Sequence, residues 1–312
     1  MTSAPTWAAQ APLGPYPDEL LGCLLRIRHL ETALLELFAA GQVSGTAHTC
    51  IGQEYVPVSL APLIGRDMVF SNHRGHGHYV ALHGDVEGLL AEILGRQGAV
   101  CDGVGGSQHI YRDGQFMSTG VQGESVAVAV GSALHERRTG SRRLATAFVG
   151  DGTWGEGVVY EALNMAALWG LGLLVVVENN GIAQTTPTSL QLAGSIAGRA
   201  AAFGIRHLLV TSDDVQQIRQ QVSEPIEHAR SGPHPLVLEF QTTRVGPHSK
   251  GDDTRSADEL REIRARDWAV RYQLRHPEQF ARVDRRERHY VDELVAEVVS
   301  RPLSVWSGTA HG

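Results

Sequence analysis

Lysine is almost missing from this sequence: of its 27 basic residues only Lys250 is not arginine. That lysine lies in the polar run Gly246-Pro247-His248-Ser249-Lys250-Gly251-Asp252-Asp253. A Schiff-base enzyme needs its lysine in a protected pocket, and a P-loop needs Gly-Lys-Ser/Thr, so both chemistries are excluded. Cysteine is scarce too. Cys23, Cys50 and Cys101 stand far apart with no Cys-x-x-Cys pair, which argues against a disulfide framework and a cysteine zinc site and fits a reducing compartment. A basic surplus is also lacking: the formal charge is -7 and the pI about 6.1, so neither nucleic acid nor an anionic membrane is an expected partner. No apolar run reaches the roughly 18 to 20 residues that cross a bilayer. Residues 1–16, rich in Ala and Pro and without positive charge, do not read as a signal peptide and are expected to form a flexible tail. A cytoplasmic protein is expected. With 42% hydrophobic and 20% charged residues over 312 positions, the chain can bury a sizeable core.

Apolar periodicity gives the fold class. Leu20, Leu21, Leu24, Leu25, Leu34, Leu35 and Leu37 recur at helical spacing within 17–40. Asp85 opens a second helix over 86–96, and a third is expected over 125–138. Then come a short apolar strand at 144–149, a helix at 156–169 and a continuous apolar strand at 171–177. Strands that apolar are usually buried on both faces, as in parallel sheets. A strand at 206–211, a helix at 215–230 and a strand at 235–243 continue the alternation, followed by charged helices at 257–275 and 284–300. The reading is α/β: a doubly wound, mostly parallel sheet with helices on both faces. Residues 17–275 form the main domain and 276–312 a C-terminal helical extension.

Two loops carry the chemistry. Gly150-Asp151-Gly152 follows one apolar strand and Glu178-Asn179-Asn180 the next, with 26 residues between Gly152 and Asn179. Both fall at carboxyl ends of neighbouring strands, the edge where open parallel sheets bind ligands, and a helix starting near Gly155 would aim its amides at an anion there. Asp151 and Asn180 offer hard oxygens suited to an octahedral Mg²⁺ that also takes diphosphate oxygens. His73-Arg74-Gly75-His76-Gly77-His78 adds a guanidinium fork matched to phosphate. The i, i+3, i+5 spacing of its histidines fits neither a helix face nor a zinc finger. Phe70, Ser71 and Asn72 are placed at the pocket by their position beside Arg74.

These motifs occur in one order with Gly105-Gly106-Ser107-Gln108-His109, with Tyr160-Glu161-Ala162-Leu163-Asn164-Met165-Ala166-Ala167-Leu168-Trp169, and with Gly246-Pro247-His248-Ser249. The series resembles the alpha subunit of the thiamin-diphosphate-dependent 2-oxo acid dehydrogenase first components, the pyruvate, branched-chain and acetoin type, over roughly residues 20–275. The resemblance implies the thiamin-diphosphate-binding fold, with Asp151, Asn180 and the Ile182 carbonyl on Mg²⁺. It implies cofactor contacts at His73, Arg74, Gly123, Ser125, Gly150, Asp151, Gly152, Thr153, Asn180, Ile182 and His248, and catalytic histidines at His48 and His248. It further implies a beta subunit that completes the site in a two-alpha, two-beta heterotetramer, with a lipoyl acyltransferase as a second partner and a small 2-oxo acid as substrate. An aldehyde or a carrier-bound acyl group as acceptor, in a biosynthetic carboligase, is the alternative. A non-catalytic nucleotide-binding scaffold would need a Gly-x-Gly-x-x-Gly turn after a strand, which the chain lacks. Helices at 125–134 and 160–169 are the expected subunit contacts.

The chain also departs from the family. Gly120-Val121-Gln122-Gly123-Glu124-Ser125-Val126-Ala127 lacks the proline usual before the next helix and gains a carboxylate. Glu124 either alters the aminopyrimidine contacts or caps the helix, where an acid in the first turn is favourable. Val104 and Gln108 stand where a lysine and a methionine are common.

Overall fold

Strands of unbroken apolar sequence need cover on both sides, and the order of elements supplies it. The computed structural model describes residues 12–232, 234–249 and 253–305. In chain order the elements are α1 (Asp18–Ala39), α2 (Tyr55–Ile64), β1 (Met68–Ser71), α3 (His76–His83), α4 (Val86–Leu94), β2 (Tyr111–Arg112), β3 (Phe116–Ser118) and α5 (Glu124–Arg138). There follow β4 (Ala145–Gly150), α6 (Gly157–Leu168), β5 (Leu173–Asn179), β6 (Ile182–Ala183), β7 (Thr186–Pro187), α7 (Ile196–Ala202), β8 (Arg206–Val210) and α8 (Val215–Ser231). The chain closes with β9 (Leu236–Gln241), α9 (Ala257–Arg266), α10 (Trp268–Arg275) and α11 (Pro277–Ser300). Seven strands form one sheet in the order β2-β3-β1-β4-β5-β9-β8, parallel except for β2 at the edge. The α/β, mostly parallel reading therefore holds.

Side chains of β5 alternate between two cores. Leu174 and Val176 pack with α1, α2, α8 and α11, whereas Leu173, Val175 and Val177 pack with α5, α6 and α7. β4 does the same, Phe148 joining the first core and Ala145, Ala147 and Val149 the second. The alanines matter because α5 lies directly over β4 and is itself lined by Ala129 and Ala133, which lets helix and sheet approach closely.

Several boundaries differ from the sequence reading. Leu13 and Tyr16 are buried, with Tyr16 stacked on Tyr272 at 4.9 Å and its amide donating to the Tyr272 hydroxyl at 2.8 Å, so the tail is held from Leu13 onward. Residues 1–11 lie outside the described residues. The helix expected over 257–275 is two, α9 and α10, because Asp267 adopts an extended ψ of 128° and accepts from both Arg28 and the Ala269 amide. The last helix starts at Pro277, not 284, since proline suits the first helical position. Phe280, Val283 and Val298 share the core with Leu21 and Leu24 of α1. Residues 277–300 are thus packed into the main body.

Three buried carboxylates tie the helices to the motif loops. Glu54 accepts from Arg28 at 2.7 and 3.0 Å, from the Trp268 indole at 2.7 Å and from the Gly52 amide at 2.9 Å. Glu92 accepts the amides of Cys101, Gly103, Gly105 and Gly106 and so shapes the Gly-Gly-Ser loop. Glu31 accepts from Cys50 N at 3.0 Å and lies 3.1 Å from His76 Nδ1, while His76 Nε2 lies 3.0 Å from the Ser107 carbonyl. Both ring nitrogens of His76 face acceptors, so both carry protons and the ring is a cation. Burial opposes the charge, but Glu31 raises the pKa of His76 and His76 lowers that of Glu31.

Glu31→Gln leaves that cation buried without its partner and is expected to cost about 3–5 kcal/mol, read by urea unfolding. With its folded pKa raised, His76 stabilises fully below about pH 6.5, and that contribution disappears as pH rises through its folded value. The same variant should therefore lose stability less steeply above neutrality than the parent. Equal stability and equal pH slopes would eliminate the pair as a structural element.

Candidate active site

Four neighbouring strands, β1, β4, β5 and β9, end on one edge of the sheet, and the residues just beyond them meet in a single cleft of about 450 Å³. β1 delivers Asn72, His73 and Arg74, β4 delivers Gly150 to Thr153, β5 delivers Glu178 and Asn180, and the segment after β9 delivers Arg244 and His248. His48, from the loop between α1 and α2, completes the wall.

One side of the cleft is cationic. Arg74 is only 5% exposed, and its guanidinium donates to the Thr49 carbonyl at 2.8 Å, to His248 Nδ1 at 3.0 Å and to the His248 carbonyl at 3.2 Å. No carboxylate pairs with it among the described residues. Burial, and next the charge on nearby Arg244, pull its pKa down to about 10. Its backbone is fixed by the Asn72 side chain, which accepts from Arg74 N at 2.8 Å. The His48 ring lies edge-on to His73 and to His248, with centroids 4.7 Å away in each case. Burial, then the charge on Arg74 and the two other histidines, push His73 well below an ordinary imidazole.

The other side is made of oxygens. Asp151 starts a short 3-10 helix (Asp151–Gly155) and is 2% exposed. It accepts from Asn180 N at 3.4 Å and from the Thr188 hydroxyl, and no cationic side chain forms an ion pair with it among the described residues. Burial raises its pKa. Asn180 Oδ1 accepts from Ile182 N at 3.3 Å, folding the chain back into the β6–β7 hairpin. Gly152 lies under that hairpin: a Cβ there would come within 2.6 Å of the Ala183 Cβ. A buried unpaired carboxylate, an amide oxygen and a loop carbonyl form an oxygen-only donor set, which fits a hard divalent cation.

Of the residues singled out in the sequence, His48, His73, Arg74, Gly150, Asp151, Gly152, Thr153, Asn180, Ile182 and His248 share this cleft. Gly123 and Ser125 do not line it. Gly123 sits at the N-terminus of α5 with φ 84° and packs against Val158, and Ser125 is buried in the first turn. Phe70 belongs to the core and Ser71 lies beneath the surface, hydrogen bonded to His78 at 2.7 Å, so only Asn72 of that trio reaches the cleft. Glu124 stands in the first turn of α5, where its charge suits the helix dipole, and does not line the cleft; its side chain accepts from the Thr119 hydroxyl at 2.6 Å and pins the preceding turn. His76 and His78 point into the body, and the histidine cluster that forms is instead His48, His73 and His248.

Arg244, Glu178 and Gln122 are cleft residues that the sequence reading missed. Arg244 lies two residues before Gly246, so its position beside an identified motif was the available signal. Glu178 heads the Glu-Asn-Asn motif and stands 3.3 Å from His78 Nε2. Gln122 gave no signal beyond belonging to a stretch that departs from the family.

Residues 24–300 match the family model described as dehydrogenase E1 component. The alpha subunit of acetoin:2,6-dichlorophenolindophenol oxidoreductase from Bacillus subtilis (strain 168) is 39% identical over 233 residues, covering 73% of this chain and 70% of that protein. Its counterpart from Cupriavidus necator is 35% identical over 283 residues, 89% of this chain and 85% of the relative. The alpha subunit of the pyruvate dehydrogenase E1 component from Rhizobium meliloti (strain 1021) is 36% identical over 248 residues, 78% and 71% of the two chains. A cleft with an anion-seeking wall facing an oxygen donor set, on a sheet of this order and with these relatives, places the chain in the dehydrogenase E1 component family.

Proposed function

We propose that this chain is the alpha subunit of a thiamin-diphosphate-dependent 2-oxo acid or acetoin dehydrogenase, holding the diphosphate and its metal while a beta subunit completes the site. One observation carries the reading. Among the described residues, Arg74 is a buried cation in no ion pair with an anion, Asp151 is a buried anion in no ion pair with a cation, and both face one cleft. A metal–diphosphate complex answers both deficits at once. In this reading Asp151, Asn180 and the Ile182 carbonyl hold Mg²⁺, while Arg74, His73, Gly150, Gly152, Thr153 and His248 surround the diphosphate. Bound thiamin diphosphate supplies the carbon nucleophile and the electron sink for cleaving the bond beside the substrate carbonyl. His248 sits on the Arg74 guanidinium and His48 packs edge-on against the His248 ring, two imidazoles in the cleft that can hold or pass a proton.

Subunit contact is assigned to the outer face of α5 and α6. Leu168, 75% exposed, and Trp169, 38% exposed, line a shallow hollow with Leu134, Arg137 and Arg138, and Val128 and Met165 of the same two helices are each 38% exposed. Exposed apolar groups clustered this way mark an interaction surface. The partner is a beta chain in a two-alpha, two-beta assembly, and a lipoyl acyltransferase receives the acyl group. No helix among the described residues is long and apolar enough to cross a membrane.

Isothermal titration of thiamin diphosphate with Mg²⁺ should show tight, metal-dependent binding to the chain paired with its beta subunit and little to the chain alone. Asp151→Ala and Asn180→Ala in the pair should each weaken that binding by roughly 10- to 100-fold or more; unchanged affinity in both would sink the metal assignment. Leu168→Glu, on a side chain outside the core, should abolish co-purification with the beta subunit and leave the melting temperature of the isolated chain within about 2 °C of the parent. Retained co-purification would move the interface elsewhere. Turnover of a 2-oxo acid by the pair with a lipoyl domain, set against turnover with an aldehyde acceptor, separates the dehydrogenase from a carboligase.

A further inference from the structure

We propose that Gln122 is a positioning residue that fixes the ring tautomer of His73, holding Nδ1 as an acceptor and the proton on Nε2. The observation is a three-way junction built from the stretch that departs from the family. Gln122 Nε2 lies 3.0 Å from His73 Nδ1 and 3.3 Å from the Gly120 carbonyl, and Gln122 Oε1 accepts from Thr153 Oγ1 at 2.7 Å. A carbonyl only accepts, so the Gly120 oxygen forces the amide nitrogen to that side and the amide oxygen toward Thr153. The nitrogen that faces Gly120 also faces His73. Its N–H therefore points at Nδ1, which must carry a lone pair, and the ring proton resides on Nε2.

The turn bearing Gln122 is held in its own right. Glu124 accepts from Thr119 Oγ1 at 2.6 Å, and the same hydroxyl accepts from Val121 N at 3.1 Å. Gln122 thus joins the segment after β1, through His73, to the segment after β4, through Thr153. The groups around His73 give the tautomer its use. Arg74, Arg244, His48 and His248 all bear on the ring with positive charge or the capacity for it. A neutral Nε2–H donor adds a hydrogen bond for an anion without adding a fifth positive centre. That this anion is the cofactor diphosphate rests on the function proposed above; the tautomer does not.

The test labels the histidines of the full-length chain with ¹⁵N and reads ring nitrogens by long-range ¹H–¹⁵N correlation at about pH 8, with His73→Gln to assign the signals. The parent should show His73 with a protonated Nε2 and an unprotonated Nδ1. Gln122→Glu replaces the donor by an acceptor and should move the proton to Nδ1 or protonate both nitrogens, while Gln122→Leu should give a mixture. Circular dichroism and melting temperature confirm that each variant is folded. A parent ring protonated on Nδ1, or a pattern that neither substitution alters, overturns the assignment. In the alpha–beta pair, Gln122→Glu should weaken thiamin diphosphate binding by about 10-fold, and an unchanged affinity despite a switched tautomer overturns the positioning role. Failure of the parent pair to bind the cofactor would overturn the proposed function instead, and the labelled spectrum of the chain would still decide the tautomer.

Discussion

Burial of the Arg74 guanidinium is the constraint on which the site depends. An unpaired cation in the interior costs several kcal/mol, and Arg74 meets that cost with a carbonyl from the 46–52 segment and a carbonyl and imidazole from the segment after β9. Glu178 and Glu31 offset it from further away. Two remote stretches of chain are thereby drawn to the end of β1. The turn itself tolerates little change, because a Cβ on Gly75 would come within 2.7 Å of Ser71 Oγ and 3.0 Å of the Asn72 carbonyl. The guanidinium is therefore placed by backbone rather than by a flexible side chain finding its own ion pair.

Charge is segregated on the same logic. Glu31, Glu54 and Glu92 are each at most 1% exposed, and all three spend their oxygens on backbone amides and buried donors that hold the loops in place. Arg74 and Asp151, which form no ion pair among the described residues, lie in the cleft. Glu92 spends its oxygens on four loop amides and so fixes the Gly-Gly-Ser loop without drawing on a cation of the cleft. The net charge of -7 conceals this arrangement entirely.

How much of this was legible follows from the physics of each signal. β4, β5, β9 and the helices between them were readable because a doubly covered parallel strand must be apolar throughout, and Asp85 and Gly150-Asp151-Gly152 mark their turns by residue type. β1 escaped notice because it is four residues long, and α3 because its buried positions include His76 and His78, whose partners lie far off in sequence. The break at Asp267 could not be read locally, since it exists to meet Arg28 from α1. Most cleft residues carried by motifs were found, but Glu178, which heads Glu-Asn-Asn, was passed over for its neighbours, and Gln122 and Arg244, which lie beside marked positions, were missed. Gly123 and Ser125 fall outside this cleft because a motif marks a stretch, while the helix geometry decides which of its side chains is turned inward.

The departure around Gly120 changes how that turn is stiffened. A proline restricts its own φ and the residue before it, but it contacts nothing beyond its immediate neighbours. Here stiffness comes from hydrogen bonds of Thr119, Gln122 and Glu124, and two of these end on His73 and Thr153, which follow different strands. A turn held in this way is coupled to the geometry of the site, because moving either strand end breaks bonds that the turn relies on. Rigidity supplied by proline would be the same whether the cleft were well formed or not. Rigidity supplied by Gln122 exists only when the cationic wall and the oxygen wall are correctly spaced, so the turn and the two halves of the cleft order together.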